Sequence, residues 1–108
     1  MELLRPFELH VPDATLDEIH RRIRTFPWHE MPSDGGWEYG ANLEYMKALC
    51  AYWLDGFDWR AQEAAINRHN HFIAEIDGID IHFMQEKGSG SNPMPLILSH
   101  GWPGTVVE

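Results

Sequence analysis

The chain has 108 residues, and its eight basic and seventeen acidic side chains give a formal net charge of -9. This length allows one domain with a modest core. The five Trp and five Phe, within a hydrophobic content of 44%, are typical of a globular protein. The acidic charge would repel a phosphate backbone, so nucleic acid is not an expected partner. No apolar run approaches the roughly 20 residues that cross a bilayer, so no membrane segment is expected.

The cellular compartment is predicted from the N-terminus and the cysteine count. Met1 to Pro6 contains no signal-peptide core, and the single Cys50 cannot form an internal disulfide. We therefore expect a soluble, cytoplasmic protein. His69 and His71 could face one side of an extended segment, but no third metal ligand has a suitable spacing, so no metal is predicted.

Residues 1–70 are predicted to form a helical N-terminal meander. Pro6 to Pro12 alternates apolar and polar residues between two prolines, which favours an extended arm or an edge strand. Thr15 and Glu18 have the spacing of a capping box, which would open a first helix that ends before Pro27. The apolar side of this helix recurs at helical spacing through Leu16, Ile19, Ile23 and Phe26.

Two more helices are expected after a loop from Pro27 to Gly40. Two tryptophans in this loop should pin it onto a larger body, because large indoles are rarely left in water. The helical stripe from Leu43 to Leu54 predicts a second helix that ends at Gly56. A third helix, capped by Asp58, is expected from Trp59 to about His69.

The hydrophobic period changes in the second region, residues 71–108. Phe72 to Ile76 and Ile79 to Phe83 are β-type runs on either side of Asp77-Gly78, which is a strong signal for a hairpin. The two runs therefore predict a pair of antiparallel strands.

A short apolar run follows the hairpin and ends in a tight turn. Leu96 to Leu98 is apolar without alternation, the pattern of a strand buried on both faces of a parallel sheet. Gly101-Trp102-Pro103-Gly104 forbids further strand, and Thr105-x-x-Glu108 has the spacing of a capping box that starts a helix. The predicted fold class is therefore α/β: a helical meander, a β-hairpin, then a buried strand leading into a helix.

The turn after this strand is the candidate functional segment. A strand that turns sharply into a helix leaves backbone N–H groups at the carboxyl edge of the sheet, where α/β proteins bind ligands. Such donors can stabilise a developing oxyanion. The alternative is an ordinary turn whose Gly and Pro only satisfy backbone dihedral needs. His100 is expected to pack and hydrogen-bond at the strand end to hold the loop, rather than to act as a base.

These residues, taken in chain order, resemble the N-terminal region of microsomal-type epoxide hydrolases. The resemblance spans nearly the whole chain, and a series of short motifs carries it: Pro6-Phe7, Gly36-Trp37, Tyr52-Trp53, Phe57-Asp58-Trp59-Arg60, Ile76-Asp77-Gly78, Ile81-His82-Phe83 and His100-Gly101-Trp102-Pro103-Gly104. Several of these motifs are weak individually, but the ordered series is specific.

The resemblance implies an α/β-hydrolase fold and a two-step reaction without a cofactor. An aspartate attacks the epoxide carbon to form an alkyl ester while two tyrosines protonate the ring oxygen. A histidine, assisted by an acidic residue, then activates water to release a vicinal diol. The backbone N–H of Trp102 would be one donor of the oxyanion hole in the second step, within a supporting turn made by His100, Gly101, Pro103 and Gly104. The Trp102–Pro103 peptide bond would be cis.

The nucleophile, base, acid and tyrosines implied by the resemblance are all expected beyond Glu108. Residues 71–108 would be the start of an α/β-hydrolase domain, and the 108-residue chain alone is expected to be an inactive fragment of a detoxifying epoxide hydrolase. The expected substrate of the parent enzyme is a small apolar epoxide. The expected protein partner is the remainder of the hydrolase domain, with a homo-oligomer left open.

Two other functions stay open from the sequence. Another α/β-hydrolase, such as a haloalkane dehalogenase or an esterase, can share a His-Gly-x-Pro turn, although it would lack this meander and an esterase would carry Gly-x-Ser-x-Gly further along. A non-catalytic segment that binds a partner is the third reading. It would expose apolar strand faces and an unpaired edge, and so would be expected to associate or aggregate.

Overall fold

Within the described part of the chain, the sheet has three antiparallel strands in the order β1-β2-β3, with β2 in the centre. The computed structural model describes residues 4–30, 32 and 36–108. Its elements are β1 (Leu4–Phe7), α1 (Asp13–Arg24), α2 (Leu43–Asp55), α3 (Trp59–Ile66), β2 (His71–Ile76) and β3 (Ile79–Met84). Met1 to Leu3, which belong to the segment searched for a signal peptide, and residues 31 and 33–35 of the predicted loop lie outside the described residues.

The described chain forms two compact units. One unit runs from Val11 to Trp59, and the other joins the residues before it to Arg60–Glu108. The sheet, nearly all of α3 and the candidate turn therefore belong to the same unit. The predicted boundary at residue 70, between an N-terminal meander and the start of a hydrolase domain, stays a prediction.

The hairpin predicted around Asp77-Gly78 is confirmed. β2 and β3 pair from His71 opposite Met84 to Ile76 opposite Ile79. Asp77 and Gly78 both have positive φ, 51° and 77°, which is the backbone that the favoured two-residue hairpin turns require. The edge strand predicted over Pro6 to Pro12 is confirmed only at Pro6 and Phe7, because β1 spans Leu4–Phe7, where it pairs antiparallel with β2.

The capping box predicted at Thr15 and Glu18 is wrong. The N-cap of α1 is Pro12, three residues earlier than Thr15, and it makes no side-chain cap. Glu18 lies inside the helix and instead accepts from Arg21 Nε at 2.7 Å and Arg22 Nε at 2.8 Å. These hydrogen bonds lower the pKa of the exposed Glu18 to about 2.

The second and third helices follow their predictions closely. α2 is capped by Asn42, whose side-chain oxygen accepts from the Tyr45 N–H at 2.9 Å, and it ends at Gly56 as predicted. α3 ends at Ile66, before the predicted boundary, because the N–H groups of Arg68 and His69 bond to carbonyls three residues back. Among the described residues, no helix combines the length and apolarity needed to span a membrane.

The segment after the hairpin differs from its prediction. Residues 85–108 form neither strand nor helix, and the side chains of Leu96 to Leu98 are between 77% and 90% exposed. A strand requires hydrogen-bonding neighbours, and no strand among the described residues pairs with this segment. The predicted buried strand and following helix are therefore not formed here.

Candidate functional site

The candidate turn, His100 to Gly104, follows the exposed apolar run directly. Its Trp102–Pro103 peptide bond is cis, as the resemblance implied. The Trp102 side chain is 96% exposed, so its indole contacts very little of the described chain. What the turn presents is therefore mainly backbone.

The orientation of the Trp102 N–H is set by its own peptide group. His100 Nδ1 donates to the Gly101 carbonyl oxygen at 2.9 Å, because a carbonyl can only accept. The Gly101 carbonyl and the Trp102 N–H belong to one planar, trans peptide unit, so a contact that fixes the carbonyl also fixes the N–H. Trp102 N–H makes no hydrogen bond to any residue that the structure describes. The turn thus holds an available donor, and His100 braces it.

Gly104 is where the turn closes on itself. A Cβ at this position would lie 2.5 Å from the Gly101 carbonyl oxygen and would also overlap Glu108 Oε1. Only a residue without a side chain allows this close approach. The Gly101 carbonyl is therefore confined by His100 through a hydrogen bond and by Gly104 through backbone contact.

The residues after the turn form part of the predicted capping box. Glu108 Oε1 accepts from the Thr105 N–H at 3.0 Å, and Thr105 Oγ1 accepts from the Val107 N–H at 3.2 Å. These contacts resemble a capping box, although no helix follows. The predicted capping box is confirmed for the Glu108 side chain. It is wrong for the Thr105 side chain, which accepts from Val107 instead of Glu108, and for the helix.

A cavity of about 300 Å³ lies beside the capping residues. Val107 and Glu108 line it together with residues of the sheet and of α3 and its C-terminal extension: Gln62, Ala65, Ile66, Arg68, His69 and Met84. The segment that follows the turn is therefore close to α3 and the end of β3.

A histidine pair on the sheet is the polar site that sequence reasoning missed. His71, only 4% exposed, places Nδ1 3.0 Å from His82 Nε2, and its own Nε2 lies 2.8 Å from the Ile66 carbonyl oxygen. The carbonyl requires a proton on His71 Nε2, so the neutral His71 accepts from His82 at Nδ1. Burial lowers the pKa of His82, and the repulsion from a protonated His71 lowers it further. The sequence could have suggested this pair only if the register between β2 and β3 had been known, because that register brings the two histidines together.

His69 and His71, weighed from sequence as metal ligands, turn to different partners. His69 Nδ1 lies 3.1 Å from Glu86 Oε1, whereas His71 bonds to His82. The contact with His69, followed by hydrogen bonding from Asn70, lowers the pKa of Glu86. The two imidazoles thus serve separate hydrogen-bond networks.

The buried carboxylate of Glu63 is paired with Arg60, the last residue of the Phe57-Asp58-Trp59-Arg60 motif. Glu63 is 7% exposed, and its Oε1 accepts from Arg60 Nη1 at 2.6 Å, with His10 Nδ1 at 3.8 Å. A buried carboxylate requires such partners to remain charged. Arg60 and Glu63 therefore read as structural residues of α3.

Comparison with known proteins extends over almost the entire chain. Residues 4–108 match the family described as "Epoxide hydrolase N terminus". Epoxide hydrolase 1 of Sus scrofa is 38% identical over 111 residues, which cover 99% of this chain and 24% of that protein. The chain thus spans about a quarter of the length of this curated relative.

Solved structures agree with the family match. The juvenile hormone epoxide hydrolase of the silkworm Bombyx mori has a TM-score of 0.76 and 25% identity, covering 84% of this chain and 22% of that chain. The epoxide hydrolase of Aspergillus niger has a TM-score of 0.66 and 31% identity, covering 74% of this chain and 22% of that chain. These similarities confirm the predicted partial α/β-hydrolase fold. The chain belongs to the epoxide hydrolase N-terminal family.

Proposed function

We propose that this chain supplies the N-terminal region and one oxyanion-hole donor of an epoxide hydrolase acting on a small apolar epoxide. The observation that carries the proposal is the available Trp102 N–H in a turn braced by His100 and closed at Gly104. Membership of the epoxide hydrolase N-terminal family supports the reaction class.

The proposed reaction has two steps, and this chain acts in the second. In the first, a carboxylate outside this chain forms a bond to an epoxide carbon, the ring C–O bond breaks, and tyrosines protonate the ring oxygen. In the second, a histidine outside this chain takes a proton from water, and the oxygen of that water attacks the ester carbonyl carbon to generate a tetrahedral oxyanion. The Trp102 N–H donates to that oxyanion, and collapse of the intermediate releases the diol and restores the carboxylate.

The energetic contribution expected from this donor is large. Loss of one oxyanion-hole donor typically lowers kcat by about 10²–10³-fold. A hydrogen bond that develops only in the transition state accelerates the reaction without tightening substrate binding. The precise direction of the Trp102 N–H therefore matters more than the identity of the Trp102 side chain.

A single-turnover isotope experiment tests the proposal. The protein encoded by the open reading frame that contains this chain would be mixed, in excess, with styrene oxide in H₂¹⁸O. In the two-step reaction the first diol oxygen comes from the enzyme carboxylate, so the first-turnover diol should contain no ¹⁸O. Absence of turnover would contradict epoxide hydrolysis, and ¹⁸O in the first diol would contradict the ester intermediate.

The exposed run from Leu96 to Leu98 also favours a second candidate function, in which the segment binds a partner without catalysis. This candidate predicts that the encoded protein forms a stable complex but opens no epoxide. A monomeric 108-residue chain that unfolds cooperatively would instead count against any requirement for association.

A further inference from the structure

We infer that Glu108 is a positioning residue of the oxyanion turn: its side-chain oxygen holds Gly104 and Thr105 and thereby aims the Trp102 N–H. This inference rests on the proposed function and adds to it a residue whose side chain acts through the backbone.

One side-chain oxygen of Glu108 contacts both Gly104 and Thr105. Glu108 Oε1 accepts from the Thr105 N–H at 3.0 Å and also occupies the space that a Cβ of Gly104 would need. A single carboxylate oxygen is therefore placed against two consecutive backbone residues. It restrains the chain directly after Pro103.

The position of Gly104 affects the direction of the Trp102 N–H through the Gly101 carbonyl. The same missing Cβ of Gly104 would lie 2.5 Å from the Gly101 carbonyl oxygen. That carbonyl belongs to the peptide unit that carries the Trp102 N–H, and the unit rotates as a rigid plane. Displacement of Gly104 would therefore let the peptide rotate and would misdirect the donor.

Glu108 lies in a segment that is close to α3. Val107 and Glu108 line the cavity that also contains Gln62 and Ala65 of α3. Thr105 Oγ1 further accepts from the Val107 N–H at 3.2 Å, which restrains the intervening backbone. Glu108 therefore faces the same cavity as α3, on the side where the turn ends.

Substitutions at position 108 distinguish a hydrogen-bonding role of the Glu108 side chain from a role of its negative charge. A glutamine at position 108 keeps a carbonyl oxygen at the same distance along the side chain and loses the negative charge. An aspartate keeps the charge but withdraws the oxygen by one methylene, and an alanine removes both. If Glu108 acts by positioning, the Gln variant should keep the rate of ester hydrolysis that the Ala and Asp variants lose.

The test compares Glu108→Ala, Glu108→Asp and Glu108→Gln in the protein encoded by the complete reading frame, with styrene oxide as the probe. Rapid quenching followed by intact-protein mass spectrometry measures formation and decay of the alkyl-enzyme separately. Glu75→Ala is the matched control, because it removes an exposed carboxylate of β2 that makes no hydrogen bond among the described residues.

For Glu108→Ala we expect ester decay to slow on the order of tenfold, with accumulation of the alkyl-enzyme and an unchanged rate of its formation. Glu108→Asp should slow the same step, which keeps the test informative if the alanine variant folds poorly. Glu108→Gln and Glu75→Ala should remain within about twofold of the wild type.

Four outcomes would overturn the inference. Wild-type ester decay in both Glu108→Ala and Glu108→Asp overturns it and leaves the proposed function intact. Equal slowing of both steps indicates a general folding role. A Gln variant as slow as Ala shows that charge, rather than position, matters. A wild-type protein that forms no alkyl-enzyme overturns the proposed function, and the inference with it.

Discussion

Asn67 and Leu9 are joined by two hydrogen bonds. Asn67 Nδ2 donates to the Leu9 carbonyl oxygen at 2.7 Å, and the Leu9 N–H donates to Asn67 Oδ1 at 2.9 Å. The carboxamide thus satisfies both backbone groups of one residue, as a neighbouring strand would. It ties the chain that follows β1 to the end of α3.

Replacement of Asn67 should destabilise the protein measurably. Asn67→Ala leaves both part-buried backbone groups of Leu9 unpaired, so the free energy of unfolding should fall by about 1–3 kcal/mol in urea titrations. Asn67→Asp keeps the acceptor and loses the donor, so it should also destabilise the protein. Asn92→Ala, in the exposed loop, is the control. Equal unfolding free energies for the control and Asn67→Ala would show that the two hydrogen bonds between Asn67 and Leu9 contribute nothing to stability.

The His71–His82 pair should make stability depend on pH. Because burial lowers the pKa of His82 in the folded protein, the unfolded chain takes up a proton first as the pH falls. The stability contributed by neutral His82 is therefore complete above the ordinary pKa of about 6.5 and is lost as the pH falls from there toward the lower folded value.

The variant His82→Gln tests this dependence, since its amide can still donate to His71 and does not titrate. We expect a smaller loss of unfolding free energy between pH 8 and pH 5 than in the wild type, measured by urea titration at constant ionic strength. Identical pH dependence in the two proteins would mean that His82 is not coupled to folding.

Gly104→Ala should impair the ester-hydrolysis step strongly. The added methyl group would lie 2.5 Å from the Gly101 carbonyl oxygen. Rotation of the peptide that carries this carbonyl would relieve the overlap and would misdirect the Trp102 N–H. Decay of the alkyl-enzyme should slow by about 10²-fold in quenched-flow measurements. Gly101→Ala adds the same methyl group where no atom lies within 4 Å, so its effect should be much smaller. Equal effects of the two variants would contradict the close-contact explanation.

Trp102→Phe should retain substantial turnover. The proposal requires only the backbone donor of this residue, and the indole is almost entirely exposed in the described chain. Steady-state kinetics should show kcat within about tenfold of the wild type. Abolished turnover with unchanged thermal unfolding would instead assign a direct role to the side chain.

Local signals in the sequence were sufficient for the elements that depend on local chemistry. Asp77-Gly78 identified the hairpin because its turn demands positive φ at both residues. Gly56 also marked the end of α2, although its backbone there is right-handed, with φ of -115°. The side-chain bond of Glu108 was also predictable, since it joins residues three positions apart.

Relationships between distant residues could not be predicted from local patterns. The run from Leu96 to Leu98 has the composition of a buried strand, but strand formation depends on a partner, and none pairs with it among the described residues. The contact between Leu9 and Asn67 joins residues 58 positions apart. The capping box proposed at Thr15 failed because Pro12, already suited to a helix start, allowed α1 to begin earlier.

Deletion of the Trp102 N–H alone is the most direct test of the proposed donor. Incorporation of the α-hydroxy analogue of tryptophan at position 102, in the protein encoded by the complete reading frame, replaces this N–H with an ester oxygen and keeps the side chain. We predict that alkyl-enzyme formation from styrene oxide continues while its hydrolysis slows by about 10²–10³-fold. Hydrolysis at the wild-type rate would contradict the assignment of Trp102 to the oxyanion hole.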